Sequence, residues 1–406
     1  MTPPPASLII VSRHRTAALM RALAGVVQLD HPAFEVIVVA DPVAVAAVQA
    51  LGYPIKTVIY DEANISAARN LGLALAAALV VAFLDDDAVP EPTWLQRLVA
   101  PFADPRVTAA GGFVLGRSGL AWQWRAAWVD ADGFDHPFAA GPSPSLHPGT
   151  PRRAIKTQGT NCAFRREDLL AIGGFDAGYR FYLDEADVNL RLAAHGAGRG
   201  DLTAVVPDAV VHHGFAASAR RRADRVPRDL VEIGRSLARF AANHGADATA
   251  LPRHIAQQRA RLIRHMVGGA IEPADVHRIL ASLHAGLAAD QTQPSAPTPI
   301  LATPPPFSPL PKTGPRSGCV LFGTAAQRHD LAAAAQRARA EGKIVTVIML
   351  SRGVRAHQHQ FTDGGYWQQN GGRFGRAFRC AARFVWLPAP ERLKRELARL
   401  SKYRPV

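Results

Sequence analysis

Short apolar runs alternate with helical stretches through the first 115 residues. SLIIVS (7–12) is rich in Ile and Val and predicts a buried strand. FEVIVVA (34–40), KTVIY (56–60), VVAFL (80–84) and VTAAGGFVL (107–115) repeat that signal. Between them, Leu19, Leu23, Val26 and Val27 recur at helical spacing. Pro42–Leu51 predicts a helix closed by Gly52, Ile65–Ala78 is an Ala/Leu helix, and Pro92–Phe102 carries Pro near its start. Such βα repeats predict an α/β fold with a Rossmann-like, mostly parallel sheet covered on both faces. Ligands of such sheets sit at the carboxyl ends of the strands.

The pattern breaks from 116 to 160, where Trp122, Trp124 and Trp128 precede the loop AAGPSPSLHPGTP. Short strands and one helix return up to residue 215. The spacing then predicts a basic helical segment over 216–290, a Pro-rich extended linker over 291–315 and a small α/β domain over 316–406. The first domain is thus expected to be 1–215.

Composition narrows the class. The 406 residues are 48 % hydrophobic and 20 % charged, which excludes wholesale disorder. No run reaches the roughly 18 apolar residues of a spanning helix. MTPPPASLII lacks the basic and apolar regions of a signal peptide, so a cytoplasmic chain is expected. Three scattered cysteines exclude a disulfide framework and a Cys-rich zinc site. The net charge of +14 is uneven. Residues 1–215 hold 17 Lys and Arg against 21 Asp and Glu; residues 216–406 hold 30 against 12. The basic half suits an anionic membrane, a polyanion or nucleic acid, or is simply a solvated Arg-rich surface.

The strongest chemical signal is Asp85-Asp86-Asp87 at the end of an apolar strand. Adjacent carboxylates repel, and a hard divalent cation offsets that repulsion. Mg²⁺ and Mn²⁺ take one or two carboxylates plus substrate phosphates, so a strand-end Asp-x-Asp suits a metal–diphosphate site. The competing interpretation is a solvated acidic turn. Neither a Walker loop nor GxGxxG opens any early helix.

Over about residues 7–215 the chain resembles the inverting glycosyltransferases of family 2, which have the GT-A fold. FEVIVVADP resembles the second-strand motif, with Ala40 and Asp41 where the family often has two aspartates. The resemblance implies that Asp41 binds the donor base. NISAARNLGL (64–73) resembles the family's N-x-G-x-x-x-A-R-N segment and places Arg69 near the donor. FLDDDAVPEPTWL resembles the Asp-x-Asp motif, implying Asp87 on the metal and Asp85 or Asp86 on ribose and metal waters. TNCAFRREDLLAIGGFD (160–176) resembles the acceptor-side segment. LDEADVNLRLAAHG (183–196) resembles the E-D-x-D-L-x-L-R motif of the catalytic base. Here the order is Asp184-Glu185, so the matching base is Glu185 with Asp184 beside it. The same residues also suit the acidic first turn of a helix. His212 and His213 stand where the family often supplies a further metal ligand, and strand alternation sends them to opposite faces. The variable acceptor loop falls at Trp122 and Trp124, and Asp187 joins them as an acceptor candidate. After the first strand the chain has Val11-Ser12-Arg13-His14-Arg15 in place of the family's common Pro-x-Tyr-Asn.

The resemblance therefore implies a cytoplasmic, metal-dependent inverting transferase using Mn²⁺ or Mg²⁺. A nucleotide sugar, UDP-linked for preference, would be the donor, and a glycan or lipid-linked hydroxyl the acceptor. Arg220, Arg221, Arg222, Arg225, Arg228, Arg235 and Arg239, with Leu230, Ile233, Leu237 and Phe240, make an amphipathic basic helix. It suits peripheral contact with an anionic membrane, or ordinary packing on the catalytic domain. No nucleic-acid module occurs, so nucleic acid is not expected. In FTDGGYWQQNGGRFGRAFR (361–379), Gly, aromatic and Arg residues interleave, as in a loop that binds a sugar, phosphate or partner. Two rivals are a scaffold on a degenerate transferase core and a metal-dependent nucleotidyltransferase.

Overall fold

The computed structural model describes residues 3–214, 222, 224, 226–289, 303–311 and 313–406. Its central sheet runs in space Ser145–Pro148, Leu202–His213, Val107–Leu115, Cys162–Arg165, Val80–Asp85, Ala6–Val11, Phe34–Ala40 and Lys56–Ile59. Ala6–Val11 pairs in parallel with both Phe34–Ala40 and Val80–Asp85, as βα repeats require. Antiparallel strands join at its far edge, Ser145–Pro148 and Trp122–Trp124 among them, and one enters its middle. Cys162–Arg165 inserts antiparallel between Val80–Asp85 and Val107–Leu115. A strand returning from a long excursion carries no periodicity that reveals its neighbour or direction.

Both faces of the sheet are covered. Leu8, Ile10, Val38, Ala82 and Leu84 pack on one side with Leu19, Leu23 and Trp94. Ile9, Ile37, Val81 and Phe83 pack on the other with Leu73, Phe164 and Phe175. That is the two-residue period of a strand buried on both sides. Helix Pro42–Gln49 is capped by Asp41, and Ile65–Leu75 by Asn64, whose Oδ1 accepts from the Ala67 N–H at 3.1 Å.

The 116–160 stretch forms Trp122–Trp124 on the main sheet and a small sheet of Arg153–Ile155, Ala127–Asp130 and Asp135–Pro137. Helices Val231–His244, Ala250–Val267 and Pro273–Ala288 follow. Two glycines let the first and third approach: a Cβ on Gly234 would lie 2.3 Å from the Leu283 carbonyl, and one on Gly286 2.1 Å from that of Val231. Leu237 and Phe240 are buried there with Tyr179, Leu183 and Leu190. The apolar side of the basic helix is therefore used in packing on the N-terminal domain, and Arg239 is tied to Asp176 at 2.7 Å. Of its expected arginines, 220, 221 and 225 lie outside the described residues.

The described part of the Pro-rich stretch docks on the sheet edge. Leu310 donates to the Phe34 carbonyl, and Ser308 donates to Glu35. The C-terminal sheet is Gly318–Gly323, Ile344–Ser351, Trp367–Gly372 and Gln358–Phe361, with helices Arg328–Ala340 and Ala389–Leu400. It is locked to the first sheet by a buried link: Arg404 meets Glu91 at 2.6 Å and lies 3.8 Å over the Trp367 ring. Among the described residues, no helix is long and apolar enough to cross a membrane.

Candidate active site

Val80–Asp85 delivers three aspartates to the carboxyl edge of the sheet, and alternation sorts them. Asp86 follows Ala82 and Leu84 to one side. It is fully buried, accepts from the Ser12 hydroxyl at 2.7 Å and meets Arg15 at 2.6 Å. Burial, reinforced by Asp87 and only partly offset by Arg15, pushes its carboxyl up to about 7. Asp85 and Asp87 take the other side with His213. Their ligand atoms lie within 4.8 Å of one another. His213 Nε2 is 3.0 Å from Asp87 Oδ1 and 3.8 Å from Asp85 Oδ2. Burial raises the Asp85 carboxyl, with Asp87 and Glu185 adding to it against His213 and Arg69.

Two carboxylates and an imidazole form a donor set for an Mn²⁺-class ion. The imidazole is prepared for it. His213 Nδ1 donates to Gln123 Oε1 at 2.9 Å, so Nε2 is the ring nitrogen that faces the aspartates. Gln123 stands between Trp122 and Trp124, and the strand's alternation turns it to the site. Trp122 packs edge-on against Phe113 at 5.4 Å, and Trp124 lies against the sheet core. The ring-bearing neighbours drew attention in the sequence, while the amide between them holds the histidine. His212 points the other way. Its Nε2 is 2.8 Å from Glu91, and its ring lies 5.0 Å from Trp367. The expectation of a metal ligand at His212 is corrected on this ground: it belongs to the junction with the C-terminal sheet.

Helix Asp184–Gly196 brings the second acidic pair. It begins after Leu183, whose φ of 65° is the left-handed conformation that non-glycine residues rarely adopt. Asp184 is enclosed and in tight contact with Arg69. Glu185 is 21 % exposed, lies 3.5 Å from Arg69 and accepts the Gly159 N–H at 3.0 Å. Burial raises Asp184 well above the usual range, and the adjacent Glu185 adds to it. Burial acts on Glu185 too, but Arg69 and the hydrogen bond from Asp184 outweigh it and hold Glu185 low. The two shifts run in opposite directions, up on the inner carboxyl and down on the outer one. Gly159 has no alternative: a Cβ there would lie 2.1 Å from Glu185 Oε1 and 2.0 Å from Arg69.

Arg69 joins the two acidic groups. Its guanidinium also reaches Asp85 at 3.8 Å and lies against Phe175 at 5.1 Å. At 1 % exposure it sits beneath the site, turned to its carboxylates and away from solvent. The flanking Asn70 holds the 175 loop by its backbone N–H and carbonyl at 2.8 and 2.7 Å. Asp41 is likewise enclosed. Its oxygens accept from Ala44 and His14, and these hydrogen bonds outweigh burial in lowering its pKa. It fixes the turn at His14, where φ is 56°. Asp187, an acceptor candidate, is fully buried and clamped by Arg191 at 2.6 Å and His244 at 3.0 Å, so it orients its helix. Segment 160–176 contributes structure too: Asn161 donates to the Phe113 and Ala209 carbonyls and accepts from Trp94.

A cavity of about 350 Å³ opens beside Asp87 and His213. Arg21, Arg117, His359 and Asp363 are among the residues around it, so the C-terminal sheet forms part of its wall. Arg21 and Asp363 pair across the junction at 2.7 Å.

Residues 7–173 match the family described as Glycosyl transferase family 2. "O-antigen biosynthesis protein RfbC" of Myxococcus xanthus is 29 % identical over 239 residues, which are 55 % of this chain and 18 % of that protein. "Glucosyl-dolichyl phosphate glucuronosyltransferase" of Haloferax volcanii is 29 % identical over 124 residues, 29 % of this chain and 36 % of that one. The matches thus span well under two thirds of either relative. A solved mannosyltransferase, PcManGT from Pyrobaculum calidifontis in complex with GDP-Man and Mn²⁺, is 18 % identical. It superposes over 70 % of this chain and 86 % of its own, with a TM-score of 0.42.

Proposed function

We propose, from the premise that residues 7–173 belong to glycosyl transferase family 2, that this chain moves a sugar from a nucleotide-sugar donor to an acceptor hydroxyl with inversion at the anomeric carbon. One observation carries the reading: Asp85, Asp87 and His213 gather at the strand edge, and a single buried arginine joins them to an ionised Glu185. Asp85, Asp87 and His213 would hold Mn²⁺ or Mg²⁺, and the imidazole favours Mn²⁺. Such an ion supplies positive charge to the leaving diphosphate.

The chain's own residues do the rest. Glu185 takes the proton of the acceptor hydroxyl as that oxygen attacks the donor. Arg69 and the Gly159 N–H hold Glu185 ionised and in place. Asp41 fixes the turn on the donor side. The donor is a UDP-sugar by preference. The names of the two curated relatives support a glycan or lipid-linked acceptor in surface polysaccharide synthesis, and we place the reaction on the cytoplasmic side.

Calorimetry with a panel of UDP- and GDP-sugars, with and without Mn²⁺, tests the reading. Metal-dependent binding of one donor is expected, and Asp87→Ala abolishes it. Glu185→Gln keeps that binding and loses transfer; full turnover in this variant would sink the assignment. NMR of the product anomer checks inversion.

A further inference from the structure

The C-terminal sheet carries a surface that the catalytic reading does not use. Trp386, Phe384 and Val354 are 72, 51 and 61 % exposed. They form one face. Trp386 stacks on Phe374 at 4.8 Å and 3°, and Phe384 lies 5.6 Å from the same ring. Val385 donates to the Phe374 carbonyl, and Phe374 donates to the Gly353 carbonyl, which brings in the loop of Val354. Arginines flank these residues along the chain. Arg352, Arg355, Arg379 and Arg383 are exposed, and Arg373 covers the Phe374 ring at 4.5 Å. No Asp or Glu occurs between residues 364 and 390. Among the described residues, no ion pair joins any of these five arginines to a carboxylate, although ion pairs engage Arg15, Arg69, Arg191 and Arg239 elsewhere.

We propose that this face docks on an anionic lipid bilayer. Trp386, Phe384 and Val354 would enter the interfacial layer, and the arginines would meet headgroup phosphates. Charge complementarity selects an anionic partner. The apolar cap selects the bilayer among anionic partners. Single-stranded nucleic acid is bound on separated ring faces, each free to stack a base. Here the Phe374 ring is already covered by Trp386 and Arg373, and the exposed Val354 offers only aliphatic area. An interfacial layer accepts aliphatic and aromatic area together, with basic side chains at the phosphate level. The basic helix Val231–His244 buries its own apolar side, so this face is a different route to the membrane. The proposal does not depend on the catalytic reading.

Cosedimentation of the full chain with vesicles tests it, comparing phosphatidylcholine alone with phosphatidylcholine plus phosphatidylglycerol. Binding to the anionic vesicles only, weakened by salt, is expected. Arg379→Gln with Arg383→Gln should lower the partition by on the order of tenfold or more. Trp386→Ser should also weaken it, with an unchanged thermal melt because the side chain is exposed. Three results would overturn the proposal: no anionic-vesicle binding, binding indifferent to both variants, or self-association through Trp386 in sedimentation velocity. Binding to oligonucleotide but not to vesicles, lost in the same variants, would assign the face to nucleic acid instead.

Discussion

Arg69 lies enclosed among Asp85, Asp184 and Glu185, whereas Arg379 and Arg383 are exposed and, among the described residues, paired with no carboxylate. The same side chain has opposite consequences in the two settings. In the first, one buried cation faces three carboxyl groups, and burial beside Glu185 raises the Asp184 carboxyl. In the second, the positive charge is left for a partner to balance. Net charge by sequence half shows where arginine is in excess. Only the placement of carboxylates shows which arginines are spent on the fold.

Breaking the buried side of this contrast should have the largest effect. Glu185→Gln is expected to slow transfer by about 10²–10⁴-fold, the range for a general base, with donor binding retained by calorimetry. Arg69→Met leaves Asp85, Asp184 and Glu185 without their shared cation. It should cost about 3–5 kcal/mol in urea unfolding, the usual penalty for removing one partner of a buried ion pair. A cost below about 1 kcal/mol, the value of a surface pair, would show that Arg69 is not the keystone. Gln123→Leu removes only the acceptor that orients His213. Metal affinity should fall about 10–100-fold with little change in stability.

A smaller effect concerns pH. Burial lowers His31 to about 4, against an unfolded value near 6.5. The unfolded chain therefore takes up the proton first. The stability contributed by neutral His31 is complete above about pH 6.5 and is lost as pH falls toward 4. His254, also lowered by burial, acts in the same direction. Thermal melts across this range should show the loss, and His31→Gln should reduce its slope.

The sequence revealed most of the N-terminal sheet because its strands are buried on both faces. Phe34–Ala40 and Val107–Leu115 are mainly apolar runs whose ends are marked by polar or turn residues, and both ends coincide with the structure. It revealed less of Cys162–Arg165, whose four residues carry no period and whose place depends on what they pair with. At the site, the carboxylates and His213 were legible as residue types at a strand edge. Their division was not. Whether Asp86 faces Arg15 or the Asp85–Asp87–His213 cluster, and whether Asp187 is open or clamped by His244, depends on elements distant in sequence. Gln123 and Gly159 carried no signal of their own. A glutamine between tryptophans and a glycine before a threonine acquire meaning only when His213 and Glu185 arrive beside them.

The link between Glu91 and Arg404 also bears on how the chain is made. Glu91 is buried in the finished molecule, yet its cationic partner lies 313 residues further along. At ribosomal speeds of about 5–20 residues per second, that partner emerges roughly 15–60 s later. During this interval the nascent first sheet holds a carboxylate and His212 at a surface that is not yet covered. Glu91 can stay hydrated only while that surface remains open to water. The closing of the junction is therefore a late event in biosynthesis, and a nascent chain stalled before its final helix would present this half-built seam to chaperones.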